Sequence, residues 1–334
     1  RKGGTKLARF WFSDWKLSGD KVKARPDLAF GPILYAMHTL SRGTLNLTAQ
    51  MPPLGEKESK QIRLDAKDAV GNWQKTANAT IDPLSRTATF RIEGWDDTRD
   101  VSYRIAFEDR KRDGSSKEKY FEGIIRKDPK EKKEIVVAGF TGNKDTAFPN
   151  SKLVKNVGIV NPDVLFFSGD QIYEGDLNGV DRRKIVLDYH TKYQRWLRSF
   201  AELCRDRPCV VIPDDHDVYH GNIWGAGGVL AKASDGLTVQ DSGGYKLRAD
   251  VVNAIHRTQV GNLPPCAVPG PIVHATLVVP PPQATSAVSA VAGVRRWYWN
   301  VQKWLEYLFP EPDPLEALGA VALATAATAT CVLA

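Results

Sequence analysis

Apolar and polar side chains alternate over several short stretches of the first 128 residues. A period of two is typical of strands that bury one face. The alternating apolar positions are Leu45, Leu47, Ala49 and Met51; Ile62, Leu64 and Ala66; Ala88, Phe90 and Ile92; and Val101, Tyr103, Ile105 and Phe107. Pro-Pro, Gly-Asn, Asp-Pro and Asp-Gly pairs separate them and supply turn chemistry. This spacing predicts an N-terminal antiparallel β-sandwich domain, residues 1–128, with a structural or substrate-orienting role.

The pattern changes after a charged linker. Three runs are apolar at successive positions, which is typical of strands covered on both faces. They lie at residues 135–138, 164–167 and 209–212. Residues 182–204 instead place Ile185, Tyr189, Tyr193, Trp196 and Phe200 near helical spacing. Strands that alternate with helices predict a partial α/β layered sandwich over residues 129–265.

The segment 266–334 is an atypical low-complexity tail, rich in Ala, Val, Thr and Pro and poor in charge. One interpretation is a membrane anchor, because residues 317–334 carry no charged side chain and reach the lower length limit of a span. The other is a non-native end produced by truncation or a reading-frame shift after about residue 265. The abrupt change in composition favours the second interpretation.

Composition narrows the class of partner. The chain has 334 residues and a formal net charge of +7. This charge is compatible with partners such as phosphate esters, other polyanions or a membrane surface, and the plain interpretation is a soluble, basic protein. It lacks a basic run interleaved with aromatic residues, so there is no nucleic-acid signature. Its four cysteines have no CxxC spacing, which argues against a zinc knuckle or a dense disulfide framework. Arg1 begins the sequence, so the start looks cut or processed, and the compartment stays unknown.

Acidic residues follow the apolar runs. Asp170 comes just after the second run and residues 214–217 just after the third. Loops at the carboxyl ends of strands form the sites of layered α/β proteins, and carboxylates gathered there repel one another unless a cation is bound. Oxygen ligands suit Mg, Ca, Mn or Fe(III). The alternatives are a capping or turn role for Asp170 and a polar, salt-bridged loop at 214–217.

Two motifs carry a resemblance to a known family. Gly169 and Asp170 are followed by Tyr173, and residues 214–217 read Asp-Asp-His-Asp. In this combination the chain resembles the metallophosphoesterases of the PhoD-like (alkaline phosphatase D) branch, which shares features with purple acid phosphatases. The resemblance implies that the sandwich is the family's N-terminal domain, and that the α/β part is the N-terminal half of a calcineurin-like αββα core.

The resemblance also implies roles for individual residues. Asp170 would bridge two metal ions, Tyr173 would bind Fe(III), and Asp215 would bind the second metal, Ca or another divalent cation. His216 would contact the phosphate and assist the leaving group. Near the end of the first strand, where the family carries an Asp or Cys ligand, Asn143 is our candidate metal ligand. The family would place the protein outside the cytoplasm.

These features predict a metal-dependent hydrolase of phosphomonoesters or phosphodiesters that acts on a small phosphoester substrate. One departure keeps an alternative open. The family takes further metal ligands, largely His, from the second half of its fold, whereas this chain has only His274 after His256. The alternative is a non-catalytic, degenerate relative that serves as a structural or binding module.

Overall fold

A computed structural model describes residues 15–23, 31–110, 113–176, 184–220, 231 and 245–264. The chain divides into two compact units, Arg1–Gly31 and Pro32–Ala334, and all the elements below belong to the second unit. The tail at 266–334 lies outside the described residues, so both interpretations of it stay predictions. Within the described ranges, no helix is long and apolar enough to cross a membrane.

The N-terminal part of the second unit is antiparallel β-structure. Its strands are β1 (Tyr35–Ser41), β2 (Thr44–Gln50), β3 (Gln61–Lys67), β4 (Trp73–Thr80), β5 (Thr87–Glu93), β6 (Val101–Arg110) and β7 (Ser116–Ile125). One sheet has the order β1-β2-β5 and the other β4-β3-β6-β7. All pairings within these two sheets are antiparallel, which confirms the predicted β-structure of this region.

The alternating apolar residues hold the two sheets together. On the first sheet Leu47 pairs with Phe90, and on the second Leu64 pairs with Ile105. All four are buried in one shared cluster, since strands with period-two patterning present every second side chain to the same face. The arrangement is therefore sandwich-like.

A second layer follows in the chain. It contains β8 (Val137–Phe140), α1 (Ser151–Val160), β9 (Val164–Phe167), α2 (Ile185–Arg205), β10 (Cys209–Val211) and α3 (Ala249–Val260). In the part of the chain that the structure describes, the three strands form a parallel sheet of order β10-β9-β8. Parallel neighbours need crossover connections, which here contain α1 and α2. Aromatic side chains of α2, such as Trp196 and Phe200, pack on Phe167 of β9.

Strand β1 contributes to both cores. Ala36 lies in the sandwich core, whereas Tyr35 and Met37 lie in the core formed by α2 and the parallel sheet. His38 also makes a single parallel bridge to Pro208, next to β10. The sandwich and the parallel layer are thus packed against each other through β1. The predicted domain boundary at residue 128 stays a prediction.

Candidate metal and phosphoester site

The predicted site residues follow the three parallel strands. Asn143 comes after β8, Asp170 after β9, and Asp215 after β10. Because parallel strands end at the same edge of their sheet, their loops meet there. The central position of β9 places Asp170 between the other two loops.

Gly169 lets two of these loops approach closely. Its φ is +111°, and a Cβ built on it would lie 2.4 Å from the Cβ of Asp214. Any side chain at residue 169 would therefore collide with the third loop. Asp170 itself has a φ of 55°, in the left-handed region that non-glycine residues seldom adopt. The Gly-Asp pair is thus a tight turn that brings the Asp170 carboxylate towards the loop after β10.

Three predicted residues come together at this edge. Asp170, Asp215 and His216 each offer one ligand atom, and these atoms lie within 4.8 Å of one another. All three residues are partly buried. Tyr173 joins them, since its hydroxyl donates a 3.0 Å hydrogen bond to Oδ2 of Asp170. Its ring also lies against the His216 ring, with the centroids 4.5 Å apart.

Asn143 is tied to the site through its backbone. Its N–H donates to the Asp170 carbonyl oxygen at 2.8 Å. The residue is buried, and its side-chain Nδ2 has no hydrogen-bond partner among the described residues. Asn143 thus lies beside Asp170, and its ligand role stays a prediction.

The electrostatics of the site favour a cation. Burial, reinforced by repulsion from Asp214 and Asp170, raises the pKa of Asp215 to about 7. Buried Oδ1 of Asp170 has no hydrogen-bond partner among the described residues. Within those residues no Lys or Arg forms an ion pair with either carboxylate. Carboxylate, phenol and amide oxygen donors suit Fe(III) with a second hard cation, so Asp170, Asp215, Tyr173 and Asn143 fit the implied metal pair.

Glu174 is a site residue that the sequence reasoning missed. Its Oε2 lies 2.6 Å from Nδ1 of His216. This hydrogen bond is the main cause that raises the pKa of His216 to about 9 and lowers that of Glu174 to about 2. Because Nδ1 is held by Glu174, Nε2 is the nitrogen left to act on a ligand. The sequence offers several acids near Asp170, and nothing in their spacing indicates which one faces His216.

Asp217 has a role that the motif alone did not reveal. Its buried Oδ1 accepts hydrogen bonds from the N–H groups of Gln171 and Ile172, at 3.0 and 3.3 Å. Nε2 of Gln259 on α3 donates to the same oxygen at 3.0 Å, and the Asp214 N–H donates to Oδ2 at 2.9 Å. Burial raises the pKa of Asp217 to about 7. Asp217 therefore joins the loop after β9 to the loop after β10.

Comparisons with known proteins add little. No protein-family model matches the chain, and no curated protein matches it. Among solved structures, the chain is similar to the multi-modular, cell-surface-expressed chitinase ChiW of Paenibacillus sp. str. FPU-7, at 11% sequence identity and a TM-score of 0.19. The match covers 52% of this chain and 15% of the chitinase chain. A likeness of that size carries no argument about fold or function.

Proposed function

We propose that the chain is a metal-dependent phosphoester hydrolase of the PhoD-like type. The observation that carries the proposal is the convergence of Asp170, Asp215 and His216, with ligand atoms within 4.8 Å, at the carboxyl edge of a parallel sheet. The unpartnered Oδ1 of Asp170 supports it, since a buried carboxylate oxygen without a hydrogen bond is costly unless a cation binds it. On this proposal, β8 to β10 are the first half of a calcineurin-like core.

The residues divide the work between metal binding and proton transfer. Asp170, Asp215, Tyr173 and Asn143 would hold Fe(III) and a second ion such as Ca. Bound metal ions supply Lewis-acid chemistry and activate water as a nucleophile near neutral pH. His216 Nε2 hydrogen-bonds a phosphate oxygen and then donates its proton to the leaving oxygen as the P–O bond breaks. Glu174 stabilises the protonated imidazole through Nδ1.

The experiment measures metal content and phosphate-ester hydrolysis together. The protein is reconstituted with Fe(III) and with Ca or Mn, and metal is quantified before p-nitrophenyl phosphate is added. Asp170→Asn should lose bound metal and lower hydrolysis by at least about 100-fold, since it removes a carboxylate that would hold the metal. Glu56→Gln, at an exposed position of the β2–β3 loop, removes one carboxylate elsewhere and should match the wild type. Wild-type protein that binds no metal would refute the proposal.

A non-catalytic relative is the second candidate. It is favoured by the make-up of the cluster, since the described residues gather Asp170, Asp215 and His216 there, whereas the family takes further His ligands from the second half of its fold. This candidate predicts that the reconstituted protein binds metal through Asp170 yet releases no p-nitrophenol. Turnover that disappears in Asp170→Asn would exclude it.

A further inference from the structure

A fully buried ion pair lies on α2 beneath the candidate site. Lys192 Nζ is 2.6 Å from Oδ2 of Asp188, one helical turn earlier, and each side chain is 1% exposed. Desolvating two charges offsets most of their attraction, so a buried pair adds little stability over apolar residues of similar size. The remaining hydrogen bonds of the pair therefore indicate a role other than stability.

The pair contacts both loops that hold His216. Lys192 Nζ donates a 2.9 Å hydrogen bond to the carbonyl oxygen of Glu174, the residue whose carboxylate binds His216. Oδ2 of Asp188 accepts a 2.7 Å hydrogen bond from the hydroxyl of Tyr219, three residues after His216. The ammonium also lies 4.7 Å from the centre of the Tyr219 ring. One rigid helix thus contacts the loop of Glu174 and the turn of His216 through a single pair.

We propose that Lys192 and Asp188 are positioning residues that hold Glu174 Oε2 against His216 Nδ1. The contacted segments lie outside the strands, whereas α2 is a 21-residue helix whose inner face is packed in the core. A charged pair suits this task, because ammonium and carboxylate groups hold several hydrogen bonds of fixed direction at once. The catalytic consequence rests on the proposed function, but the positioning itself can be measured without turnover.

The test uses the downfield proton resonance of the His216 imidazole in metal-free, full-length protein labelled with ¹⁵N-histidine. His216→Gln assigns the signal and Glu174→Gln links it to the dyad. Lys192→Met alone leaves Asp188 buried and unpaired and is expected to destabilise the fold. The informative variant is therefore Lys192→Met with Asp188→Leu, which removes both charges and keeps side chains of similar length and branching.

The double variant should unfold at a temperature close to that of the wild type and lose or broaden the His216 signal. If the wild type hydrolyses p-nitrophenyl phosphate, the variant should show about tenfold lower kcat with KM little changed. Glu108→Gln with Arg110→Gln removes an exposed ion pair of β6 and should leave signal and turnover intact. A double variant that keeps a sharp His216 signal would overturn the proposal, whether or not the wild type is an enzyme.

Tyr219→Phe provides a second, milder variant should the double variant fail to fold. It removes one hydroxyl from the Asp188 contact and keeps the ring and both charges. The His216 signal should shift or broaden, with kcat reduced severalfold if turnover is present. An unchanged signal in Tyr219→Phe together with an unchanged signal in Lys192→Arg, which displaces the contact to Glu174, would equally overturn the proposal.

Discussion

Two regions of the molecule gather charged groups in different ways. On the second sheet of the sandwich, buried Asp65 accepts hydrogen bonds from Arg63 at 2.6 Å and Arg104 at 2.9 Å. Burial acts to raise its pKa, but the two guanidinium groups leave the pKa below its ordinary value. At the edge of the parallel sheet, burial and neighbouring carboxylates raise the pKa of Asp215, and no Lys or Arg of the described residues pairs with it.

The difference teaches how a structural carboxylate can be told from a candidate binding one. Asp65 has its countercharge within the fold, so its burial needs no ligand. Asp170 and Asp215 lie close to His216, but that imidazole is itself paired with Glu174. Among the described residues, their negative charge therefore has no countercharge of its own. Burial alone does not mark a site, whereas burial without a countercharge does.

The largest expected effect concerns metal. Cations that bind only the folded state should raise the free energy of unfolding by about 3 kcal/mol at a metal concentration a hundredfold above Kd. Urea unfolding with and without a chelator measures this difference. Asp170→Asn should abolish this metal-dependent stabilisation. Asp65→Ala should preserve it, because Asp65 is paired with Arg63 and Arg104 and takes no part in metal binding. Equal stabilisation of the wild type and Asp170→Asn by metal would show that Asp170 does not bind the cation.

Loss of the charge cluster formed by Asp65, Arg63 and Arg104 should have the next largest effect on the free energy of unfolding. Asp65→Ala removes a carboxylate that two arginines contact and is expected to lower the free energy of unfolding by about 2 kcal/mol, with or without metal. Asp113→Ala, in an exposed turn, is the comparison variant. A loss in Asp65→Ala no larger than in Asp113→Ala would contradict a stabilising role for the cluster.

A buried histidine on β1, His38, makes the free energy of unfolding depend on pH. His38 is fully buried, and neither ring nitrogen has a hydrogen-bond partner among the described residues. Burial lowers its pKa to about 3, Asp206 opposes the shift and Arg126 adds to it. The unfolded chain therefore binds the proton more readily, so stability is retained above pH 6.5 and lost as the pH falls towards 3.

This loss should amount to about 2 kcal/mol between pH 6.5 and pH 5. Because the proton is taken up by His38 in the unfolded state, His38→Leu should unfold with a correspondingly shallower dependence on pH over that interval. Denaturant titrations at several pH values measure the slope. Parallel slopes for the two proteins would assign the acid sensitivity to other groups.

The smallest expected effect is that of Asp215→Asn on the free energy of unfolding, and its sign is opposite to that of Asp65→Ala. In metal-free protein at pH 8, Asp215→Asn removes a partly buried charge that neighbouring carboxylates repel. We expect the free energy of unfolding to rise by about 1 kcal/mol, a modest figure because the site is partly open to solvent. Added metal should reverse the order, with the wild type now the more stable. Destabilisation of the metal-free protein by Asp215→Asn would show that its charge is compensated.

Strands with one apolar and one polar face were predictable from the sequence, and the other strands of the sandwich were not. Leu45, Leu47 and Ala49 alternate with polar residues because one side of β2 faces the apolar core, whereas its other side buries polar side chains such as Thr48. β1 buries both sides, Ala36 against the sandwich and Tyr35 against α2, so its pattern lacks a period of two. β4 and β7 were missed for the opposite reason, since most of their side chains are exposed or partly so.

The residues of the candidate site were likewise predictable only in part. Asp170 and Asp215 were predictable because each follows an apolar strand, and parallel strands end at one edge. The contact between Glu174 and His216 joins residues 42 positions apart and depends on how two loops fold back. Lys192 and Asp188 occupy ordinary helical spacing, which usually indicates a solvated pair on a helix surface. Their burial comes from tertiary packing, and helical periodicity does not encode that.

The position of Tyr35 and Met37 has a consequence for dissecting this protein. A fragment that starts after the sandwich would lack the side chains that cover Trp196 and Cys209. Those groups would then face water, and the isolated parallel-sheet half would be prone to aggregate on expression. This half of the fold therefore includes β1, which covers one side of the parallel-sheet core although it lies about a hundred residues earlier in the chain than β8.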